Sequence, residues 1–207
     1  MSISVLDSGI GNIKSVCNMI VKVGGNVDII SSPEKIANAN AIIMPGVGAF
    51  DYAMKTLSSN GWIDALSKHT LIKKKTILGI CLGMQIMTRG SEEGTLDGLG
   101  FVEADTVKFN FVSKKDKKRI PNMGWNLVKV QKANNLFETT NDSQFYFANS
   151  YHIVCDNEQD VLTTTNYGYD FTSSFQKENI IGVQFHPEKS HKYGYDFFKK
   201  FVEHFTA

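Results

Sequence analysis

The segment TILGICLGMQIMTR, residues 76–89, decides how the rest of the chain is interpreted. Its apolar first half predicts a buried β-strand, and residues 82–89 predict a helix. Cys81 lies at the junction with Gly79 and Gly83 two residues away on either side, the pattern of a nucleophile elbow with cysteine in place of serine. The sharp turn would strain the cysteine backbone, and the first amides of the helix would favour a thiolate. A buried structural cysteine is the alternative.

Strands alternate with helices in the first half of the chain. The apolar runs of strand length before the elbow are 3–6, 27–30 and 41–44. Between the first two runs, apolar residues recur at helical spacing from Ile13 to Val23. Gly9-x-Gly11 is not a dinucleotide fingerprint, because Lys14 occupies the third glycine position. We predict an α/β fold: a doubly wound, mostly parallel sheet flanked by helices, whose ligands bind beyond the carboxyl ends of the strands.

The second half of the chain shows a different pattern. Residues 102–109 and 126–131 alternate apolar and polar side chains, which is typical of antiparallel strands. Further strands are predicted at 145–148 and 179–185, and residues 193–205 predict an amphipathic helix. The apolar face of that helix would be formed by Phe197, Phe198, Phe201 and Phe205. We therefore expect an antiparallel portion added to the parallel sheet.

Composition and charge exclude several classes of protein. A chain of 207 residues with 42% hydrophobic residues is expected to form one domain. The net charge of +1 gives no argument for nucleic-acid binding. We expect neither a signal peptide nor a membrane-spanning segment, since no apolar run approaches the ~20 residues that a membrane helix needs. Three widely spaced cysteines indicate a cytoplasmic protein, and no spacing of histidines and cysteines predicts a metal site.

Two loops have more than one interpretation. The segment PGVGAF, residues 45–50, follows the third strand, so its backbone amides would line the site beside Cys81, or it is an ordinary Pro-Gly turn. Residues 114–119 contain only lysine and arginine apart from Asp116. That run is either a solvated loop or a contact for an anionic partner, and the sequence leaves both open.

A cysteine nucleophile requires a base and a third group that orients the base. His186 ends an apolar strand, so it would emerge at the same edge of the sheet as Cys81. Glu188 lies two residues further on and would point to the same side if the segment is extended. We therefore predict Cys81 as the nucleophile, His186 as its base and Glu188 as the orienting carboxylate.

Several segments together resemble the motifs of one family. PGVG at 45–48, GICLGMQ at 79–85 and QFHPEKS at 184–190 resemble the motifs of class I glutamine amidotransferases. Together with MGWN at 123–126, they are similar to the glutaminase subunits of imidazole glycerol phosphate synthases, which act in histidine biosynthesis. The resemblance spans essentially the whole chain, and it implies a single amidotransferase domain over 1–207 with a flavodoxin-like sheet.

The resemblance implies an activity without a cofactor. Cys81 attacks the side-chain amide of L-glutamine, His186 transfers the proton and Glu188 orients His186. The glutamyl thioester is then hydrolysed, which gives glutamate and ammonia. The positions that match the oxyanion hole are Val47, Gly48 and Leu82, and those that match glutamine-binding residues are Gln85, Glu93, Ser150 and Tyr151.

The resemblance also implies a protein partner. In the family, ammonia passes to a (β/α)₈-barrel synthase subunit, so a heterodimer is implied. The positions that match interface residues are Asn12, Trp125, Tyr146 and Lys189.

The chain departs from the family pattern at three positions. Asn122 and Asn149 stand where the family has histidine, and Ser8 replaces a tyrosine. A paralogous subfamily supplies ammonia for the amidination of nucleotide-linked or surface-polysaccharide sugars, and residues 190–194 resemble its ending. The acceptor substrate therefore stays open.

Two rival classes share parts of this pattern. A cysteine peptidase or redox-responsive protein on the same fold would keep the elbow, but it need not keep His-x-Glu or the PGVG loop. A catalytically inactive binding subunit would keep the fold, but the presence of Cys81, His186 and Glu188 argues against it.

Overall fold

The computed structural model describes residues 2–112, 118–138 and 143–205. Most of the basic segment at 114–119 lies outside the described residues, so its two interpretations stay open. The strands are β1 (Ser2–Leu6), β2 (Asn26–Ile30), β3 (Ala41–Gly46), β4 (Thr76–Cys81), β5 (Ala104–Lys108), β6 (Asn122–Val130), β7 (Ser143–Asn149), β8 (Tyr151–Cys155), β9 (Val161–Asn166), β10 (Asp170–Lys177) and β11 (Ile180–Val183).

Helices cover the sheet and connect its strands. The α-helices are α1 (Ile13–Lys22), α2 (Phe50–Ser59), α3 (Trp62–Ser67), α4 (Leu82–Gln85) and α5 (His191–Phe205). Short 3₁₀ helices lie at Pro33–Asn38, Glu158–Asp160 and Pro187–Lys189, and a π-helical turn lies at Lys68–Ile72. None of the helices in the described ranges is long and apolar enough to cross a membrane.

The strands of the described chain form one mixed sheet in the order β2-β1-β3-β4-β11-β10-β9-β6-β7. The first five strands in this order are parallel. The remaining strands are antiparallel, and β8 joins β5 to β10 at the side of this path. The predicted fold class, a mostly parallel sheet with flanking helices and an added antiparallel portion, is confirmed.

Two hydrophobic cores lie on opposite faces of the parallel strands. Along β3, Ile42 and Met44 belong to the core under α2 and α3, whereas Ile43 belongs to the core under α1 and α5. This alternation follows from the two-residue period of a strand, and a strand buried on both faces is apolar throughout. The aromatic face of α5 is confirmed as Phe197, Phe198, Phe201 and the partly buried Phe205.

The centre of the sheet places the elbow beside the predicted base. β4 lies between β3 and β11, and the parallel register pairs Ile80 with Val183. Cys81 ends β4 and His186 follows β11, so both residues lie at the carboxyl edge of neighbouring strands. This is the edge at which ligands of doubly wound sheets bind.

The helix predicted over residues 82–89 is wrong beyond Gln85. The Thr88 hydroxyl donates to the Gln85 carbonyl oxygen at 2.8 Å, and the Leu99 N–H donates to the Ile86 carbonyl oxygen at 2.7 Å. These carbonyl groups would have to accept from the next helical turn for the helix to continue. The chain turns away after a single helical turn instead.

Three strands of the antiparallel portion, β8, β9 and β10, were not among the sequence predictions. The buried faces of β9 and β10 contain hydroxyl side chains, which hide the apolar alternation. Thr163 lies between Ser173 and Ser174, with oxygen–oxygen distances of 2.8 and 2.6 Å, and all three side chains are buried. Mutual hydrogen bonds make such burial tolerable, but a pattern of hydrophobic residues does not reveal it.

Candidate active site

The backbone of Cys81 has the strained geometry of a nucleophile elbow. Its φ of 55° and ψ of −112° place a non-glycine residue in the left-handed half of conformational space. Glycines two residues away allow the elbow to pack closely. A Cβ atom on Gly83 would lie 1.9 Å from the Met44 carbonyl oxygen, and one on Gly79 would lie 2.5 Å from the Gly83 carbonyl oxygen. The G-x-C-x-G pattern therefore reflects backbone contact between β3 and α4.

His186 connects the thiol to a buried carboxylate. Its Nδ1 atom lies 2.8 Å from Oε1 of Glu188, and the two side chains are 5% and 4% exposed. The side chain of Cys81 interacts with the same imidazole, and Glu188 leaves Nε2 for that contact. Burial lowers the pKa of His186, but the contacts with Cys81 and Glu188 outweigh this effect and raise the pKa above its usual range.

The segment after His186 is not extended. Residues Pro187–Lys189 form a 3₁₀ turn, so the extended segment considered for this stretch is wrong. The turn nevertheless brings the Glu188 carboxylate back to the imidazole of His186. Two residues of a tight turn can approach as closely as two residues on one side of a strand, and sequence spacing alone does not distinguish these cases.

Ser190, which is not among the predicted site residues, fixes the His186 backbone to β7. The Ser190 hydroxyl donates to the His186 carbonyl oxygen at 2.6 Å and accepts from the Tyr146 N–H at 3.0 Å. The His186 N–H in turn donates to the Tyr146 carbonyl oxygen at 2.8 Å. Ser190 is completely buried, so water does not compete for these bonds. The position of the imidazole therefore depends on β7.

One cavity of about 300 Å³ brings most of the predicted site residues together. Glu188 lies behind His186, outside the lining. The cavity is lined by Val47, Gly48, Cys81, Leu82, Gln85, Glu93, Ala148, Asn149, Ser150, Tyr151, His186 and Lys189. Within residues 2–112, 118–138 and 143–205, no group of three or more His, Cys, Asp or Glu side chains is placed to hold a metal ion.

Glu93 reaches the cavity from the loop after the elbow helix. Its Oε2 atom accepts a hydrogen bond from the Phe50 N–H at 2.9 Å, at the N-terminus of α2, where the helix dipole favours a negative charge. The loop is fixed by Asp51, whose carboxylate accepts from the N–H groups of Thr95 and Leu96 at 3.0 and 3.1 Å. The Glu93 carboxylate therefore has a defined position.

The backbone N–H groups of Val47 and Gly48, in the loop near Cys81, differ in whether they already donate a hydrogen bond. The Val47 N–H donates to the Ile10 carbonyl oxygen at 2.6 Å, so it is already used within the protein. The Gly48 N–H has no hydrogen-bond partner among the described residues. Gly48 has a φ of 106°, which only glycine adopts readily. Of the two loop residues, Gly48 is therefore the one with a free amide.

The two asparagines that replace family histidines form a chain of amides. Asn149 lines the cavity and donates to the Tyr151 carbonyl oxygen at 2.8 Å. Asn122 donates to the Asn149 side-chain oxygen at 3.4 Å, and Asn126 donates to that of Asn122 at 3.1 Å. Asn122 and Asn149 are buried. The two departures from the family pattern therefore lie in direct contact.

The predicted interface positions fall into three places. Trp125 and Tyr146 contact each other on β6 and β7, with ring centroids 6.3 Å apart, and His191 stacks on Trp125 at 5.4 Å. Asn12 is exposed at the start of α1, where its side chain accepts from the Ser15 N–H. Lys189 is exposed at the mouth of the cavity.

Gln184 begins the segment QFHPEKS but is not among the predicted site residues. Its side chain is completely buried, with Nε2 3.8 Å from Sγ of Cys81. Its Oε1 atom accepts from Nε2 of Gln85 at 3.1 Å. A polar residue between apolar neighbours, two positions before the predicted base, is the signal that identifies it.

Known proteins resemble this chain in both sequence and fold. The profile of the family described as Glutamine amidotransferase class-I matches residues 4–205. A solved crystal structure described as a glutamine amidotransferase aligns with a TM-score of 0.75 at 17% identity, covering 98% of this chain and 100% of that chain. The fold is thus that of the class I glutamine amidotransferases.

Curated relatives narrow the assignment. The chain is 46% identical to imidazole glycerol phosphate synthase subunit HisH 2 of Methanococcus maripaludis, over 97% of this chain and 98% of that protein. It is 44% identical, with the same coverage, to the subunit of the same name from Pseudomonas aeruginosa. The chain therefore belongs to the class I glutamine amidotransferase family and, within it, to the HisH subunits.

Proposed function

We propose that the chain hydrolyses L-glutamine to glutamate and ammonia with Cys81 as the nucleophile. The observation that supports this most strongly is the strained elbow of Cys81 next to a buried His186–Glu188 pair with a 2.8 Å contact. A nucleophile, a base and an orienting carboxylate in one cavity are the parts that nucleophilic acyl transfer requires.

The reaction proceeds in two halves. His186 takes the proton of the Cys81 thiol, and Glu188 stabilises the imidazolium that results. Sγ then bonds to the side-chain carbonyl carbon of glutamine, and ammonia leaves with a proton from His186. In the second half, His186 takes a proton from water and the hydroxide attacks the thioester. The carbon–sulfur bond then breaks to release glutamate, and His186 returns the proton to Sγ of Cys81.

The negative oxygen of each tetrahedral intermediate requires hydrogen-bond donors. Leu82 begins α4 directly after the nucleophile, and its N–H is one donor in this proposal. The Gly48 N–H is the second, in preference to that of Val47, which donates to Ile10. Each such donor lowers the barrier by about 3 kcal/mol.

The cavity suits a free amino acid. Because Oε2 of Glu93 accepts from Phe50, Oε1 is the oxygen that we assign to the α-ammonium group of glutamine. Gln85 and the backbone of Ser150 and Tyr151 line the same cavity and complete the glutamine site. A pocket of about 300 Å³ lies at the lower end of the range for small-molecule sites.

The ammonia acceptor belongs to a partner subunit in this proposal. Along β6, Met123, Trp125 and Leu127 are 67%, 44% and 49% exposed, and they share one face of the strand. Contiguous exposed apolar residues mark interaction surfaces. With the curated relatives named as synthase subunits, this supports a cytoplasmic heterodimer with a (β/α)₈-barrel synthase subunit that acts in histidine biosynthesis.

In a second candidate function, the chain supplies ammonia for the amidination of a nucleotide-linked or surface-polysaccharide sugar. The observation that favours it is the buried Asn122–Asn149 pair, which replaces two histidines of the family pattern between the cavity and the exposed face of β6. Capture of the native barrel partner, followed by identification of the substrate that it aminates, distinguishes the two pathways.

The glutaminase assignment is tested by glutamate release with and without a barrel subunit. We expect Cys81→Ala to abolish hydrolysis while circular dichroism and thermal unfolding remain unchanged. Cys155→Ala, a matched substitution away from the cavity, should retain activity. Hydrolysis at the wild-type rate in Cys81→Ala would rule out the assignment.

A further inference from the structure

We propose that Gln184 donates a hydrogen bond to Sγ of Cys81 and stabilises its thiolate, in a direction set by the Tyr151 carbonyl group through Gln85. This inference rests on the proposed role of Cys81 and adds a residue to it. Gln184 directly follows β11, and its side chain reaches the nucleophile from the other side of the elbow from the cavity loop of Gly48.

The polarity of this relay follows from its far end. The Tyr151 backbone carbonyl can only accept hydrogen bonds, so Gln85 must present its NH₂ group to it, at 3.4 Å. The same NH₂ group lies 3.1 Å from the side chain of Gln184, which must therefore present its oxygen. The NH₂ group of Gln184 is then left facing Sγ of Cys81 at 3.8 Å. The Tyr151 carbonyl group thus orients the NH₂ group of Gln184 toward Cys81, through Gln85.

The relay is buried and rigid. Gln184 has no exposed surface, Gln85 is 6% exposed, and the Gln184 N–H donates to the Ser173 carbonyl oxygen at 2.9 Å. An amide donor held in a water-excluded site interacts more strongly with a charge than the same donor in water does. If the amide of Gln184 were flipped, its oxygen would face the sulfur and its NH₂ group would face the NH₂ group of Gln85. The observed orientation is therefore strongly favoured.

This donor favours the charged states of the sulfur over the neutral ones. It stabilises the thiolate that forms when His186 takes the proton of the thiol, and it stabilises the same thiolate again as the leaving group when the thioester is hydrolysed. The other charged or titratable groups around Cys81 are His186, Glu188 behind it, Glu93, Tyr151 and Lys189. Of these, the imidazolium of His186 acts in the same direction as Gln184, so the two contributions require separate variants.

Gln184→Met and Gln184→Glu test the proposal in the full-length chain. Methionine keeps the length of the side chain without a donor, and glutamate keeps the acceptor for Gln85 while placing a negative charge near the sulfur. The rate of Cys81 alkylation by iodoacetamide is measured against pH, with Cys81→Ser as the background. We expect the midpoint of the profile to rise by about one pH unit in Gln184→Met, so that alkylation at pH values below the midpoint slows about tenfold, and to rise further in Gln184→Glu.

Gln176→Met is the matched control, since Gln176 lies on β10 with its Nε2 atom donating to the Glu178 carbonyl oxygen. Its profile should equal that of the wild type. An unchanged midpoint in either folded Gln184 variant overturns the proposal, because a purely structural role changes unfolding but not the titration of the thiol. Alkylation needs no glutamine, so a failed glutaminase assignment is recognised independently, in the activity of Cys81→Ala.

Discussion

At the residue scale, three side chains account for the proposed chemistry. Cys81 and His186 come from the ends of two neighbouring strands, and the sequence predicted that they meet because parallel strands end at a common edge. Glu188 was predicted from its spacing in an extended segment, and it reaches His186 through a 3₁₀ turn instead. Gln184 and Ser190 were not predicted as site residues, although both hold a member of this group. The polar character of Gln184 between apolar neighbours is visible in the sequence, but the atoms that the two side chains contact are set by the folded chain.

We expect Glu188→Gln to lower kcat by roughly 10²-fold or more with little change in KM for glutamine. The neutral amide cannot stabilise the imidazolium of His186, while the cavity lining stays the same because Glu188 lies behind His186. Steady-state glutaminase kinetics provide the measurement, and Glu178→Gln, at a solvent-exposed carboxylate, is the control. A normal kcat with a raised KM would instead place Glu188 in glutamine binding.

The elbow between β4 and α4 is the decisive element. The pattern of residues predicted its strand and its turn, because apolar runs and flanking glycines are local signals. It did not predict that α4 ends after one turn, because the cause is distant: the Ile86 carbonyl accepts from Leu99. Strands β9 and β10 were likewise missed because hydrogen-bonded hydroxyl groups, rather than apolar side chains, fill their buried positions.

Gly83→Ala should destabilise the protein because its Cβ would lie 1.9 Å from the Met44 carbonyl oxygen. Backbone atoms of β3 and α4 would have to separate, and overpacking of this kind costs about 1–3 kcal/mol or more. Urea unfolding measures the effect. Gly90→Ala is the matched control, since the nearest atom to its Cβ, the Leu96 carbonyl oxygen, is 3.9 Å away. Equal stability of the two variants would contradict the close packing of the elbow.

At the scale of the whole molecule, the exposed apolar face of β6 and β7 is connected to the catalytic group of Cys81, His186 and Glu188. Trp125 and Tyr146 lie on that face, and Tyr146 bonds directly to the His186 backbone and to Ser190. A partner that contacts Tyr146 would therefore act on the strand that positions the base. The sequence resemblance predicted the interface positions, but this short connection to His186 becomes visible only in the folded structure.

We expect the isolated subunit to be nearly inactive, and partner plus acceptor to raise glutamine turnover by roughly 10²–10³-fold. The proposed cause is a rotation of the peptide at Gly48 that turns its free N–H toward the negative oxygen of the intermediate. The backbone of glycine allows such a rotation. Turnover is measured for the isolated subunit, with partner, and with partner and acceptor. Full activity of the isolated subunit would exclude this switch.

Lys189→Ala should reduce that activation, because Lys189 is exposed at the cavity mouth and adjoins Glu188. Lys192→Ala, which removes an exposed lysine three residues further along the chain, is the control. The measurement is the ratio of turnover with and without partner. An unchanged ratio in Lys189→Ala would remove this residue from the switch.

The central claim is that Cys81 is the activated nucleophile of a glutamine site, and labelling by a glutamine-mimicking diazo-ketone tests it most directly. Burial raises the pKa of Cys17, and that of Cys155 to about 12, so both remain neutral thiols near pH 7. Peptide mass spectrometry should find the label on Cys81, and excess glutamine should prevent it. Equal labelling of all three cysteines, or labelling of Cys81 that glutamine does not slow, would contradict the account.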